Sequence, residues 1–348
     1  MIYRTIIKTK SIFLQILAKI RKNKSYKKKN VYVYTNQMSS SPVNILLLNH
    51  KDKTSAIYQY GYRMYLILKQ YDTVNCIYAE IDSLDNYTLI VNEHLFIDAI
   101  IYNYTDYTMS WLNDTTIQRN VPNVGIPHDS SGDIFDFNID IDPLSANNYG
   151  ETWFSVSSPL YDNFEQYMNE PDEQLSFINN DEIDEINAFI DYSEENKPIF
   201  GSFGFGNVNA GFSKLVKQIN DNYDEAIIKL VIPFANFAPP TYSVNMQELQ
   251  DQITKPTIKL MVTNIVFTNR QILKFLSTNT TNVFLYDTMN SIGFLSVIEY
   301  ALCMKYPFGI PNSCVFRNVY AEQTDANSSV INSIEEWNKF IAPEPHKE

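Results

Sequence analysis

From Asn44 onward one pattern recurs: short apolar runs, each strand-sized, separated by mixed stretches with helical spacing. Parallel strands buried on both faces are written as near-continuous apolar runs, and each needs a crossover, usually a helix, to reach its neighbour. The first series reads NILLLNH (44–50), CIYAEI (76–81), AIIYNY (99–104), VGIP (124–127) and FDFNIDI (135–141). A loop, DKTSAIYQYG (52–61), and a helix, YRMYLILKQY (62–71), follow its first strand. The second series reads PIFGSFGFG (198–206), a helix from about Ala210 to Asn220, AIIKLVIPF (226–234), and IVFTN (265–269) with a helix after it. It continues with VFLYD (283–287), a helix starting near Phe294, and PFGIP (307–311). Between the series, residues 165–197 are acidic, carry Pro171 with Pro198 just beyond the end, and hold one helical stretch. The predicted class is α/β, with two Rossmann-like domains facing each other across a cleft at the carboxyl ends of their strands. With 348 residues, 45% of them hydrophobic, the chain has material for two cores.

Charge divides the chain differently. Residues 1–30 hold ten Lys or Arg and no acid, although the whole chain carries −13. Ile6, Ile7, Ile12, Phe13, Ile16, Leu17 and Ile20 recur there at helical spacing, which predicts a basic amphipathic helix able to lie on an anionic membrane surface or to remain a solvated tail. The acidic remainder excludes a nucleic-acid surface on the main domains, because phosphate neutralisation needs clustered cations. The expected organisation is an arm at 1–30, a first Rossmann-like domain at 31–165, an acidic connector at 166–197, a second Rossmann-like domain at 198–325, and a terminal helix and tail at 326–348. The tail's SIEEWNKFI (333–341) is amphipathic, with Trp337 and Phe340 as its anchors.

Other classes are disfavoured by residue usage. No apolar run approaches the roughly 20 residues of a membrane-crossing helix, so a cytoplasmic protein, peripheral at the membrane through its arm, is expected. Cys76, Cys303 and Cys314 are odd in number and embedded in apolar text, the pattern of buried thiols. His50, His94, His128 and His346 show no ligand spacing, and FDFNIDID reads as an exposed strand face rather than an Asp-x-Asp metal pair. Neither a metal nor another cofactor is expected.

Three segments carry candidate chemistry. GSFGFGNVNAGFSKLV (201–216) places Gly201, Gly204, Gly206 and Gly211 between a strand and a helix, although the whole chain holds 10 glycines. Such a loop lets a phosphate approach backbone N–H groups, or serves only as a turn. YDTMNSIGFLSVIEYAL (286–302) runs from a strand ending at Asp287 through a polar loop into an apolar stretch containing Glu299. A carboxylate in that setting needs a partner, which ribose hydroxyls or a structural group would supply. VGIPHDSSGD (124–133) puts His128 and Asp129 just after a strand, where a histidine can exchange hydrogen bonds with a substrate hydroxyl or simply decorate a loop.

Together these segments resemble GT-B glycosyltransferases, specifically the retaining, family-4-like group that uses nucleotide sugars. SIGFLSVIEYALCMKYPFGIPN (291–312) is similar to that group's E-G-F-G-x-x-x-x-E-A-x-A-x-G-x-P stretch, GSFGFG to its donor-phosphate loop, PHD (127–129) to its His-Asp loop, and SAIYQYGYRM (55–64) to its first loop and helix. The resemblance implies transfer of a hexose from a UDP- or GDP-sugar to a glycan or other acceptor, with retention and without a metal, of the kind used in polysaccharide biosynthesis. It implies that Glu299 bonds the ribose, that Gly293, Phe294 and Leu295 lie along the diphosphate and sugar, and that His128 faces the transferred sugar beside Asp129. Gly204, Phe205, Gly206, Asp287 and Ser291 complete the donor side. The sequence departs from the group's pattern where Ser291 replaces a glutamate, where Ala210 stands in place of a lysine, and in NSIG (290–293), which offers no arginine. Lys214, Arg270 and Arg317 are the replacement cations, with Arg317 preferred. The alternatives are a non-catalytic GT-B-like binding or partner subunit, and another two-domain sugar-nucleotide enzyme such as an epimerase.

Overall fold

The computed structural model describes residues 42–53, 55–69, 71–94, 96–118, 120–128, 133–141, 153–155, 168, 179–205, 210–233, 244–286, 297, 300, 308–311 and 328–330. The chain divides into two compact units, with the break between Pro159 and Leu160.

In the first unit, β1 (Val43–His50), β2 (Val74–Ile81), β3 (Ala99–Tyr104), β4 (Asn123–Pro127), β5 (Phe137–Asp140) and β6 (Trp153–Ser155) form one parallel sheet in the order β2-β1-β3-β4-β5-β6. Ile45, Leu46, Leu47 and Leu48 of β1 are at most 1% exposed, because helices cover both faces. Ile45 and Leu47 pack with Tyr60, Met64 and Leu68 of α1 (Ala56–Leu68). Leu46 and Leu48 pack with Tyr87 and Val91 of α2 (Leu84–Glu93). Alternate residues of one strand thus feed two cores, and each fully buried leucine contributes roughly 1.5–3 kcal/mol.

Two boundaries differ from the sequence expectation here. Helix α1 starts at Ala56 rather than Tyr62, because Ser55 accepts the Ile57 N–H at 3.1 Å and caps the helix. FDFNIDI is not an exposed face: Phe137, Asn138, Ile139 and Asp140 are all buried, since β5 lies between β4 and β6. Helix α2, which the apolar pattern passes over, begins at a Ser83 cap that accepts the Asn86 N–H.

In the second unit, β7 (Ile199–Phe203), β8 (Ala226–Val231), β9 (Ile258–Thr263), β10 (Thr281–Val283), β11 (Phe308–Ile310) and β12 (Ser328–Val330) are again all parallel, in the order β12-β11-β10-β7-β8-β9. The helices among its described residues are α3 (Asn180–Asp191), α4 (Phe212–Asn222), the short α5 (Met246–Asp251) and α6 (Asn269–Ser277). One face packs on α4 and α5 through Phe212, Leu215, Val216, Ile219 and Leu249; the other packs on α3 and α6 through Ile186, Phe189, Ile190, Leu273 and Leu276. Helix α3 is the helical stretch foreseen within the acidic connector, and its apolar side belongs to this core.

The IVFTN segment is a correction. The strand is β9, seven residues earlier, and Thr268 with Gln271 forms a capping box that starts α6 at Asn269. Strand β10 likewise begins at Thr281, before VFLYD. Lys229 of β8 is fully buried; its Nζ donates to Ile190 O at 2.8 Å, at the carboxyl end of α3, and burial pulls its pKa down to about 8 against the pull of Asp191. No helix among the described residues is long and apolar enough to cross a membrane.

Candidate functional site

In the first unit the strand order reverses between β1 and β3, and the crevice outside the carboxyl ends of those strands is where doubly wound sheets bind ligands. Polar side chains form a strip across the sheet there, on the face covered by α1. From the edge inward, Tyr78 Oη donates to Glu80 at 3.4 Å, Asn49 Nδ2 donates to Tyr78 Oη at 3.1 Å, and Asn103 Nδ2 donates to Asn49 Oδ1 at 2.8 Å. Asn103 Oδ1 then meets His128 Nε2 at 2.7 Å. The strip therefore crosses β2, β1 and β3 to the residue after β4. Asn49 and Asn103 are fully buried, so their amides need these bonds. Helix α1 closes over them: Asn103 Nδ2 also reaches Ile57 O at 2.7 Å and Asn49 Nδ2 reaches Tyr58 O at 2.9 Å. Gly61 makes this approach possible, since a Cβ there would sit 2.6 Å from Asn103 Nδ2 and 2.8 Å from Asn49 Cγ.

His128 is partly exposed, with the Tyr60 ring edge-on at 5.2 Å. Its pKa is pushed down to about 3 by burial of the ring, then by the His50 and Arg63 charges. His50, at the end of β1, is 2% exposed. Its Nδ1 accepts the Asp52 N–H at 3.2 Å, which leaves the proton on Nε2, and Nε2 has no hydrogen-bond partner among the described residues. Burial lowers its pKa, while Asp52 and Glu80 oppose the shift. Both imidazoles are neutral at physiological pH, so this pole of the site offers hydrogen bonds rather than charge. Burial and its bond to Glu80, at 2.6 Å, raise the Tyr58 hydroxyl pKa well above the ordinary tyrosine value.

In the second unit the reversal falls between β7 and β10. The carboxyl end of β7 passes into Gly204 and Phe205, and α4 starts at Gly211. Gly204 has φ 152° and lies against the Tyr286 hydroxyl; Gly211 has φ 72°, and any Cβ there would overlap the Leu285 carbonyl oxygen. Both backbones are thus pressed onto the segment after β10, and among the described residues no side chain caps the start of α4. The start of a helix beside a strand-order reversal is a setting suited to an anion. Burial raises the Tyr286 hydroxyl well above its usual range.

No protein-family model matches the chain, and no curated protein sequence matches it. Solved structures do. HepE from Anabaena, in complex with UDP and glucose, superposes with a TM-score of 0.54 at 13% identity over 86% of this chain and 89% of that one. A glycosyltransferase from Rickettsia africae gives 0.51 at 10% identity, covering 86% and 88%. The UDP-GlcNAc 2-epimerase of Neisseria meningitidis, bound to UDP-GlcNAc, gives 0.50 at 11% identity, covering 85% and 91%. The chain has the GT-B fold.

Within this GT-B framework the predicted residues fall as follows. His128 joins the polar strip of the first unit; Gly204 and Phe205 lie at the end of β7. Lys214 is exposed, and Ala210, where the resemblance places a lysine, is 2% exposed. Asp129, Gly206, Asp287, Ser291, Gly293, Phe294, Leu295, Glu299 and Arg317 lie outside the described residues. Two neighbours of Glu299 are described: Val297 is buried in the α3–α6 core, and Tyr300 is anchored there by the Phe203 ring and a hydrogen bond to Asn269. Among the described residues no group of three metal-ligating side chains comes together.

Sequence reasoning missed Asn49, His50, Arg63 and Asn103. A signal was present: NILLLNH and AIIYNY both place an asparagine one residue before the end of an apolar strand. A polar residue at the carboxyl end of a buried parallel strand faces the ligand crevice.

Proposed function

We propose that the chain is a glycosyltransferase that moves a hexose from a UDP- or GDP-sugar to a glycan or similar acceptor. The observation that carries this reading is the glycine-lined start of α4 at the strand-order reversal of the second unit, in a chain that aligns over 86% of its length with a structure holding UDP and glucose. The diphosphate is assigned to the backbone N–H groups after β7, with Gly204, Phe205 and Gly206 approaching it and Glu299 bonding the ribose. Asp287, Ser291, Gly293, Phe294 and Leu295 are assigned to the diphosphate and sugar. The acceptor and the transferred sugar are assigned to the first unit, at His128 and Asp129. Transfer proceeds with retention and without a metal; Lys214, Arg270 or, by preference, Arg317 supplies the positive charge that stabilises the departing diphosphate. The arm at 1–30 holds the enzyme at an anionic membrane surface on the cytoplasmic side, where polysaccharide precursors are assembled.

A second reading has one specific observation in its favour. Ala210, where the resemblance places a lysine, is buried, and Lys214 lies in the first turn of α4 with its side chain exposed. On that reading the chain is a nucleotide-sugar-binding or partner subunit without turnover.

The test is thermal unfolding with UDP, GDP, UDP-glucose and GDP-mannose, with and without a divalent metal, followed by turnover assays on the nucleotide that binds. A ligand at about 100 times its Kd adds roughly 2.7 kcal/mol to the folded state. Metal-independent stabilisation by one base, lost in Glu299→Ala, is expected; a response to none of the four ends the transferase reading. Binding without turnover selects the second reading.

A further inference from the structure

The hydrogen-bond polarity of the strip in the first unit is fully determined by groups that can act in only one direction. Ile57 O and Tyr58 O are carbonyls and can only accept, so the atoms facing them are Asn103 Nδ2 and Asn49 Nδ2. The His50 backbone N–H can only donate, and it meets Asn49 Oδ1 at 3.0 Å, which fixes that amide from its other side. With its Nδ2 committed to Ile57 O and Asn49 Oδ1, Asn103 presents only an oxygen to His128. His128 Nε2 must therefore carry a hydrogen. In a neutral imidazole the other nitrogen, Nδ1, then holds the lone pair; the ring's side-chain hydrogen bond among the described residues is the Nε2 contact with Asn103.

We propose that Asn103, itself oriented by Asn49, is a positioning residue that locks His128 in the Nε2–H tautomer, so that Nδ1 accepts a hydrogen bond from a substrate hydroxyl. This inference rests on the reading that His128 faces a sugar. It goes further in excluding two roles for that histidine: Nδ1 cannot donate to an oxyanion, and the ring is not a cation. The surroundings agree. Arg63 on α1 and His50 on β1 bring only positive or neutral charge to the ring, Tyr60 on α1 presents an edge, and Asn103 on β3 is neutral. Nothing among these groups favours imidazolium. A sugar hydroxyl is a donor that suits a bare lone pair, whereas a phosphate oxygen is not. Asn49 and Asn103 thus hold the site in a form selective for a neutral polyol rather than for the anionic portion of the same donor.

The experiment uses the full chain with its histidines labelled with nitrogen-15, the His128 signals being assigned by their absence in His128→Gln. In the wild type, His128 is expected to show a protonated Nε2 and an unprotonated Nδ1, unchanged on acidification to about pH 5. Asn103→Asp keeps an acceptor at Nε2 but adds a negative charge, so His128 should titrate about 1–3 units higher. Turnover of the nucleotide sugar should then be lost as pH falls through the new value. Asn103→Leu removes the acceptor; His128 should show mixed tautomers, with kcat/KM lower by roughly tenfold. A wild-type His128 protonated at Nδ1, or a His128 whose titration is unmoved in Asn103→Asp, overturns the inference. Melting curves identify a variant that does not fold, in which case the wild-type spectrum decides the tautomer alone. Wild-type protein that binds no nucleotide sugar would sink the transferase reading, while the spectra still decide the role of Asn103.

Discussion

The two units solve the same problem with opposite materials. Both are parallel sheets with a strand-order reversal, but the first reverses between β1 and β3 and the second between β7 and β10. At the first reversal the carboxyl ends carry the buried side chains of Asn49, His50 and Asn103, with the partly exposed His128 beside them. At the second they carry backbone, with Gly204 and Gly211 pressed against Tyr286 and Leu285. Side chains with fixed donor and acceptor polarity discriminate among neutral hydroxyls, whereas a row of N–H groups at a helix start favours negative charge.

The sharpest way to break the contrast is to add a methyl-bearing side chain to each closure. Gly211→Val places a Cβ on the Leu285 carbonyl and forces a left-handed φ of 72° on a branched residue. The two costs, about 1–2 kcal/mol for the backbone and about 1–3 kcal/mol for the overlap, should appear together in urea unfolding. Gly61→Ala meets side chains instead, at 2.6 and 2.8 Å, and these can yield. It should cost about 1–3 kcal/mol and weaken the bonds of Asn49 and Asn103. Equal losses in the two variants would mean that the second unit is not the backbone-limited one.

Acid titration separates the units next. The folded pKa of His128 is near 3 and that of His50 is also lowered, against an ordinary value of 6.5. The unfolded chain binds these protons first, so the stability tied to the neutral rings is fully present above about pH 6.5 and is lost as pH falls toward 3. At its steepest, His128 contributes up to about 1.4 kcal/mol per pH unit, and His50 adds in the same direction. His128→Gln should flatten the stability profile measured between pH 6.5 and 5; an unchanged slope would show that the ring is not held neutral.

The smallest effect concerns Lys229. Its folded pKa of about 8 lies below the ordinary 10.5, so the second unit should gain stability as pH rises from 8 through 10.5. Lys229→Met removes a buried charge, while Ile190 O keeps the Thr278 hydroxyl at 3.2 Å. The substitution should be neutral or slightly stabilising and should remove that alkaline gain in thermal scans. A large loss of stability would instead identify the lysine as the anchor of α3.

Several elements were legible without coordinates because burial on two faces writes itself directly into sequence. NILLLNH, AIIYNY and PFGIP name β1, β3 and β11 almost to the residue, since a strand covered by helices has no polar face to interrupt it. Helix starts were harder. Ser55, Ser83 and Thr268 act through one side-chain hydrogen bond each, a signal carried by residues equally common in loops. IVFTN is as apolar as a strand, yet in the fold it connects β9 to the capping box of α6. Apolarity reports burial, and a buried connection looks the same as a buried strand.

Local sequence therefore determined most of the strands, that they are parallel, that they form two series, and that a glycine-rich turn precedes a helix in the second, while it missed β6, β9 and β12. Only the tertiary structure decided the strand orders, and with them where each sheet reverses. Strand order depends on pairings between residues far apart in the chain, such as Ile45 with Ala99 or Thr281 with Phe200, which no local pattern encodes. The same long-range pairing carried Asn49 and Asn103 next to each other across a separation of 54 residues and gave His128 its tautomer. An asparagine at a strand end is an ordinary feature of a sequence; it becomes a directional hydrogen-bond device only when the sheet order fixes what stands beside it.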